Sequence, residues 1–330
     1  DGEKYLFIGR RKDKARILEP FFQKIPVLLK GQGGVGKTAM AEHLVQRLIA
    51  SNPKTEPFVF NETIRSIQDI LDNLQKFLRE QGNFSKADEH DKAIDKFGFL
   101  VFEIAKTCQP VFVFDNLETF QESPGGKFLD KHQDLAEAIG FLDSIRKFHL
   151  ILTCRYPVPD FQAKNFDLNQ VSLNDFWMRC HYLDIFTLQT KLLEQARLSQ
   201  AAPSDRDHQL QFIDIVKLLH QTFGGNYRAL ELFDKLFREK PEKINKALEN
   251  MELLQKSIKE QSLEIMESMR NDLKFSLLME LVEKDEQALM GLLANFHIPV
   301  QDFAIILQNP KEHVLKDLKS DLHKLKSLTL

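Results

Sequence analysis

The sequence is poor in the features that mark secreted, membrane-spanning and nucleic-acid-coating proteins. It has three cysteines in 330 residues, Cys108, Cys154 and Cys180. Their wide spacing matches neither a disulfide framework nor a thiolate metal site, so small buried thiols are expected. No apolar run approaches the roughly twenty residues that span a bilayer. The N-terminus lacks the basic-then-apolar layout of a signal peptide, which points to the cytoplasm. Forty-five Lys and Arg against 48 Asp and Glu leave a formal charge of −3. That balance gives no broad basic footprint for nucleic acid or an anionic membrane. Low-complexity sequence and a repeat of about 34 residues are also missing.

What is present is a globular composition, 43% hydrophobic and 28% charged, on a chain long enough for more than one core. Tyr5 to Gly9 reads as a short strand, Arg11 to Phe22 as a helix and Ile25 to Leu29 as a buried strand closed by glycines. Helical spacing resumes from Thr38 to Ile49, Ile64 to Leu78 and Ala93 to Cys108, and a further helix runs to about Lys147. Between these lie apolar runs at Pro57 to Phe60, Pro110 to Phe114 and Leu150 to Thr153. Runs without polar alternation suit strands covered on both faces, and their alternation with helices predicts a doubly wound α/β domain with a parallel sheet.

Beyond Leu173 the strand signals stop. Helical periodicity covers Asp175 to Gln200, Asp207 to Phe223, Asn226 to Phe237 and Ile244 to Gln261, then shorter segments from Leu273 to Leu325. The sequence opens at Asp1 and breaks off at Leu330 behind a strong helical pattern, so a piece of a larger protein is expected.

The glycine cluster carries chemistry. Gly31-Gln32-Gly33-Gly34-Val35-Gly36-Lys37-Thr38 fits G-x-x-x-x-G-K-[ST] at every fixed position. In this pattern the loop amides, with those of the helix start at Lys37, Thr38 and Ala39, face phosphate. Lys37 neutralises the β and γ oxygens, and Thr38 offers its hydroxyl to Mg²⁺. Val111-Phe112-Val113-Phe114-Asp115 is an apolar strand ending in an acid, which places Asp115 to hold the metal's water shell. The following residue is Asn116, which cannot serve as a base, and Glu118 is the nearest carboxylate that could; an exposed loop acid is the other reading. Arg155 follows the strand Leu150 to Thr153, at the carboxyl end of the sheet where ligands of open α/β sheets bind. It could sense the γ-phosphate, or be an ordinary surface arginine.

Phe7-Ile8-Gly9-Arg10 before a helix, the P-loop, Asp115 after its strand and Thr153-Cys154-Arg155 together resemble the STAND class of AAA+-related NTPases. That class includes the NACHT and NB-ARC proteins of innate immunity, apoptosis and bacterial phage defence. Gly224-Gly225-Asn226-Tyr227-Arg228-Ala229-Leu230 resembles the family's Gly-Asn-Pro-Leu-Ala-Leu helix start, and the segment from about Asp272 resembles its winged helix. The resemblance implies a P-loop domain over 1–172 with helices on both faces of a parallel sheet, a helical lid over 173–268 and a winged helix over 269–330. It implies ATP or ADP with Mg²⁺ as ligands, with Ile8 and Arg10 on the adenine and phosphate side and Arg155 as the γ-phosphate sensor. Tyr227 replaces the family's proline beside adenine, where its ring could stack instead.

The same resemblance implies a cytoplasmic signalling or antiviral switch. ADP would close it, ATP would open it and allow self-association, and effector and sensor segments would lie outside 1–330. Asn116, in place of a frequent second acid, implies slow hydrolysis. The rival reading is a DNA-binding ATPase or transcriptional regulator, favoured by Lys311, Lys316, Lys319, Lys324 and Lys326 in the final segment. A static ADP site within a scaffold is a third.

Overall fold

A computed structural model of the chain describes residues 7–61, 64, 66–83, 90–159, 161–183 and 205–239, with 248 and 251. The chain divides into two compact units, Asp1–Asp175 and Phe176–Leu330.

In the first unit, α1 (Arg11–Phe22), β1 (Val27–Lys30), α2 (Lys37–Ser51), β2 (Thr55–Phe60), α3 (Ile67–Glu80), α4 (Ala93–Thr107), β3 (Gln109–Phe114), α5 (Gln133–Ile145), β4 (His149–Cys154) and β5 (Lys164–Asp167) follow one another. The five strands form one sheet in the order β2-β3-β4-β1-β5, and every pairing is parallel. This is the P-loop α/β fold expected from the alternating pattern.

Strand residues divide between two cores with a period of two, as a pleated strand covered on both faces requires. Phe112 and Phe114 of β3 and Leu150 and Leu152 of β4 pack with α3, α4 and α5. Val111, Val113 and Ile151 pack on the opposite face with Ile17 and Phe21 of α1 and Met40, Leu44 and Leu48 of α2. Local signals agree with this packing. The α3 helix starts at a reciprocal cap in which Ser66 N–H donates to Asp69 Oδ2 at 2.9 Å, and Ile67, Ile70, Leu71, Leu74 and Leu78 form its buried stripe. Pro57 is tolerated in β2 because that strand lies at the sheet edge.

Three expectations need correction. Phe7 to Gly9 form no strand: Gly9 and Arg10 have φ of 80° and 52°, and two successive left-handed residues turn the chain into α1 instead of extending it. The edge strand β5 went unread because only Phe166 of its four residues is buried, so it carries no apolar run. The helix expected to start at Asp175 and continue to Gln200 ends at Cys180, where residues 181–183 form a turn and bend. Residues 184–204 lie outside the described residues. So do most of 240–268, all of the winged helix expected over 269–330, and the five lysines of the DNA-binding reading.

The second unit contributes α6 (Leu173–Cys180), which begins just before the division, α7 (Asp205–Phe223) and α8 (Tyr227–Glu239). Gly224 and Gly225 end α7 with φ of 60° and 67°, a conformation glycine adopts without a Cβ penalty. Asn226 then starts α8, its Oδ1 accepting from Ala229 N–H at 3.1 Å. The helix start read from Gly224-Gly225-Asn226 therefore has a local cause. Among the cysteines, Cys154 and Cys180 are buried, and burial pushes their thiols up to about 11 and about 12, while Cys108 is half-buried. None is poised as a thiolate.

Candidate functional site

The loop Gly31–Gly36 leaves the carboxyl end of β1 and delivers the chain into α2, whose first residue is Lys37. Gly31 has no room for a side chain, since a Cβ there would stand 2.6 Å from the Leu168 carbonyl oxygen. Gly36, at φ 94°, is left-handed immediately before the helix. These two glycines let the backbone pass beneath β5's exit and then expose the helix N-terminus, the geometry of an anion cradle.

Lys37 is buried and folds back over the loop, donating from Nζ to the Gly31 carbonyl at 2.7 Å and the Gln32 carbonyl at 3.2 Å. Burial lowers the proton affinity of its ammonium; Glu118 is the strongest neighbouring charge opposing that shift, ahead of Asp115. Thr38, next on α2, donates its hydroxyl to Asp115 Oδ2 at 2.9 Å.

Asp115 follows the last residue of β3. Its backbone N–H bonds the Phe60 carbonyl at 2.8 Å, and its carboxylate also accepts from the hydroxyl of Thr153. The strand order explains Thr153. β4 lies between β3, which presents Asp115, and β1, which presents the loop. Thr153, fully buried, spans that gap and also accepts the Asn116 N–H at 3.0 Å. Sequence reasoning missed it as a site residue, although a hydroxyl ending the apolar run Leu150 to Leu152 was a visible signal. Glu42, one turn along α2 from Thr38, was also missed; burial and then the charge of Asp115 raise its carboxyl.

Asn116, at φ 64°, turns the chain into a single 3-10 turn, Leu117–Phe120. Glu118 on that turn meets Arg155. Its Oε1 accepts from Arg155 Nε at 3.0 Å and its Oε2 from Arg155 backbone N–H at 3.1 Å. The Arg155 guanidinium lies over the loop, 3.3 Å from where a Cβ on Gly33 would project. Below it, buried Gln121 donates to the Gly126 carbonyl at 3.0 Å and the Pro157 carbonyl at 2.9 Å, tying together the segments that follow β3 and β4.

Lys37, Thr38, Asp115, Glu118 and Arg155 thus converge at the carboxyl end of one sheet. Arg10 is placed differently. Its buried guanidinium bonds Asp13 at 2.7 Å and the carbonyls of Val35 and Asn169, both at 2.7 Å, while its backbone N–H reaches Asp175 at 3.0 Å. It braces the loop through Val35. Ile8 is buried beside that segment. Tyr227 belongs to the second unit, where its ring stacks on Phe176 with centroids 6.4 Å apart.

The donor set suits Mg²⁺. A threonine hydroxyl and one carboxylate, both hard oxygens, are what that ion takes from a protein when phosphates and water complete its shell. Among the described residues no group of three or more His, Cys, Asp or Glu forms a cage for a different metal.

The NACHT domain family model matches residues 25–171. No curated protein matches the chain. Among solved structures, the Aeropyrum pernix ORC1 protein in complex with DNA is similar at 12% identity and TM-score 0.38, over 82% of this chain and 84% of that one. The ADP form of the Aeropyrum pernix ORC2 protein is similar at 14% identity and TM-score 0.43, over 99% and 88%. C. elegans PCH-2 follows at 14% identity and TM-score 0.35, over 70% and 60%.

Proposed function

Starting from a chain that carries a P-loop NTPase domain of the NACHT type, we propose that it is the nucleotide-operated switch core of a STAND-type signalling or defence protein, binding ADP or ATP with Mg²⁺. The observation that carries this reading is the continuous polar network Thr38–Asp115–Thr153 beside the Lys37 cradle. The network brings two hard oxygens, from Thr38 and Asp115, beside the glycine loop, and a Mg²⁺ held by them would neutralise phosphate charge.

The residues divide the work. Loop amides and the start of α2 hold phosphate, and Lys37 exchanges its two loop carbonyls for phosphate oxygens. Thr153 orients Asp115. Glu118 is the base for an attacking water, and Arg155 reads the γ-phosphate. Asn116 cannot take a proton, so one paired carboxylate carries the proton transfer and turnover is slow, on the order of once per minute or less, as in unassisted P-loop switches.

In this reading residues 1–172 form the nucleotide domain, 173–268 the lid, with Tyr227 against adenine, and 269–330 the winged helix. ADP favours a closed arrangement and ATP an open, self-associating one. Light scattering with ADP and with a non-hydrolysable ATP analogue, beside steady-state phosphate release, tests the proposal. Slow release with an analogue-dependent rise in mass is expected. Fast release from an unchanging monomer would overturn it in favour of an ordinary ATPase.

A further inference from the structure

Glu118 and Arg155 are bound to each other more completely than a base and a γ-phosphate sensor need be. Both oxygens of Glu118 are taken by one residue, Oε2 by the Arg155 backbone N–H at 3.1 Å and Oε1 by its Nε at 3.0 Å. The backbone bond is independent of the arginine side chain, so it fixes the carboxylate at the exit of β4 whatever the guanidinium does. The side-chain bond is the removable half. The Glu118 side chain is 13% exposed and that of Arg155 is 54% exposed, so the acid is seated while the cation can swing.

The guanidinium also sits over the phosphate loop, with its Nη2 3.3 Å from a Cβ built on Gly33. It therefore stands close to both the seated carboxylate and the loop along which a phosphate chain would run. A diphosphate held by the loop and Lys37 leaves the pair intact. A triphosphate brings a further anion to the same cation, and a guanidinium shared between two anions holds Glu118 less strongly.

We propose that Glu118 is a specificity-determining residue that competes with the γ-phosphate for Arg155, biasing the site toward nucleoside diphosphate and keeping the base occupied until a triphosphate displaces it. This deepens the nucleotide-switch reading and rests on it. Once Arg155 turns to the triphosphate, Glu118 stays seated by the Arg155 backbone N–H with its Oε1 released. The released oxygen is then available to accept a proton from water, as a general base requires. One ion pair thereby couples recognition of the γ-phosphate to readiness for hydrolysis. It also gives the resting site a reason to retain ADP.

The test uses the whole 330-residue chain, titrated by calorimetry with Mg²⁺–ADP and with a Mg²⁺-bound non-hydrolysable ATP analogue. Glu118→Gln keeps the side-chain shape and removes the competing charge. We expect it to shift the analogue-to-ADP affinity ratio toward the analogue by roughly five- to tenfold, the difference between a charge-assisted and a neutral hydrogen bond at a partly exposed site. Its ADP affinity serves as the control for folding. In an Arg155→Ala background the same substitution should leave the ratio within about twofold, since no cation remains to compete for. If the full shift persists without Arg155, simple repulsion between Glu118 and the γ-phosphate explains it and the proposal falls. An unchanged ratio in the single variant, with ADP still bound, overturns this inference alone. Failure of the parent chain to bind either nucleotide overturns the switch reading and this inference together.

Discussion

The two ends of β4 bury polar side chains to similar depth and use them differently. At its start His149 is 2% exposed; its Nδ1 lies 3.0 Å from the Phe21 carbonyl and its ring 5.0 Å from that of Phe21. At its end Thr153 is fully buried and bonds Asp115, which reaches Thr38 on α2. The first network terminates on backbone, so its value is spent within the fold. The second ends on a side-chain pair beside the glycine loop, where a bound ligand would meet it. A buried polar group is therefore informative through where its chain of hydrogen bonds ends, and burial alone does not separate structural from functional residues.

The largest effect expected from this contrast is at the carboxyl end. Lys37→Ala should lower ADP affinity at least a hundredfold, about 3 kcal/mol, because the phosphates lose two charge-assisted bonds. Titration with ADP, beside a melting curve confirming that the variant folds, would check it. Tight binding by that variant would remove Lys37 from the site and erase the contrast.

At the amino end the expected effect is on stability and depends on pH. Burial is the main cause holding His149 near pKa 4, well below the 6.5 usual for histidine. Above pH 6.5 both folded and unfolded chains are neutral at this ring and stability is unaffected. As pH falls from 6.5 toward 4, the unfolded chain takes up the proton and the native ring does not, so stability is lost. Between pH 7.5 and 4.5 the loss should reach about 2–3 kcal/mol. His149→Phe should lack this component and keep its nucleotide affinity. Urea denaturation of both proteins across the range gives the difference, and parallel pH profiles would show that His149 is not held neutral.

The smallest effect sharpens the comparison from the other side. Thr153→Val preserves shape but removes the hydroxyl that bonds both Asp115 Oδ1 and the Asn116 N–H, which should cost about 1–2 kcal/mol of stability. The Mg²⁺ requirement for tight nucleotide binding should weaken in parallel, since Asp115 is no longer oriented. Destabilisation with unchanged Mg²⁺ dependence would make Thr153 as purely structural as His149.

The sheet was legible in the sequence wherever burial on both faces wrote an unbroken apolar run, as in Val111 to Phe114 and Leu150 to Leu152. The edge strand at Lys164 to Asp167 was not, because it buries only one residue of its four and its pattern is that of a loop. The strand expected through Gly9 failed for the opposite reason. A short apolar run does not reveal that the backbone at Gly9 and Arg10 turns left-handed.

The loop Gly31 to Thr38 was legible from sequence alone, since the pattern consists of adjacent residues whose spacing is local. Asp115 was readable too, as the acid that closes an apolar strand. Which residues join them was decided only by tertiary structure. Thr153 reaches Asp115 because β4 is inserted between β3 and β1, a consequence of strand order that no local pattern encodes. Arg155 and Glu118 are 37 positions apart, and their pairing follows from two turns leaving neighbouring strands at the same end. Arg10 meets the Val35 carbonyl across 25 positions, a contact that no local spacing encodes. Local spacing determines which groups can bind phosphate; the order of strands in the sheet determines which distant side chains are close enough to control them.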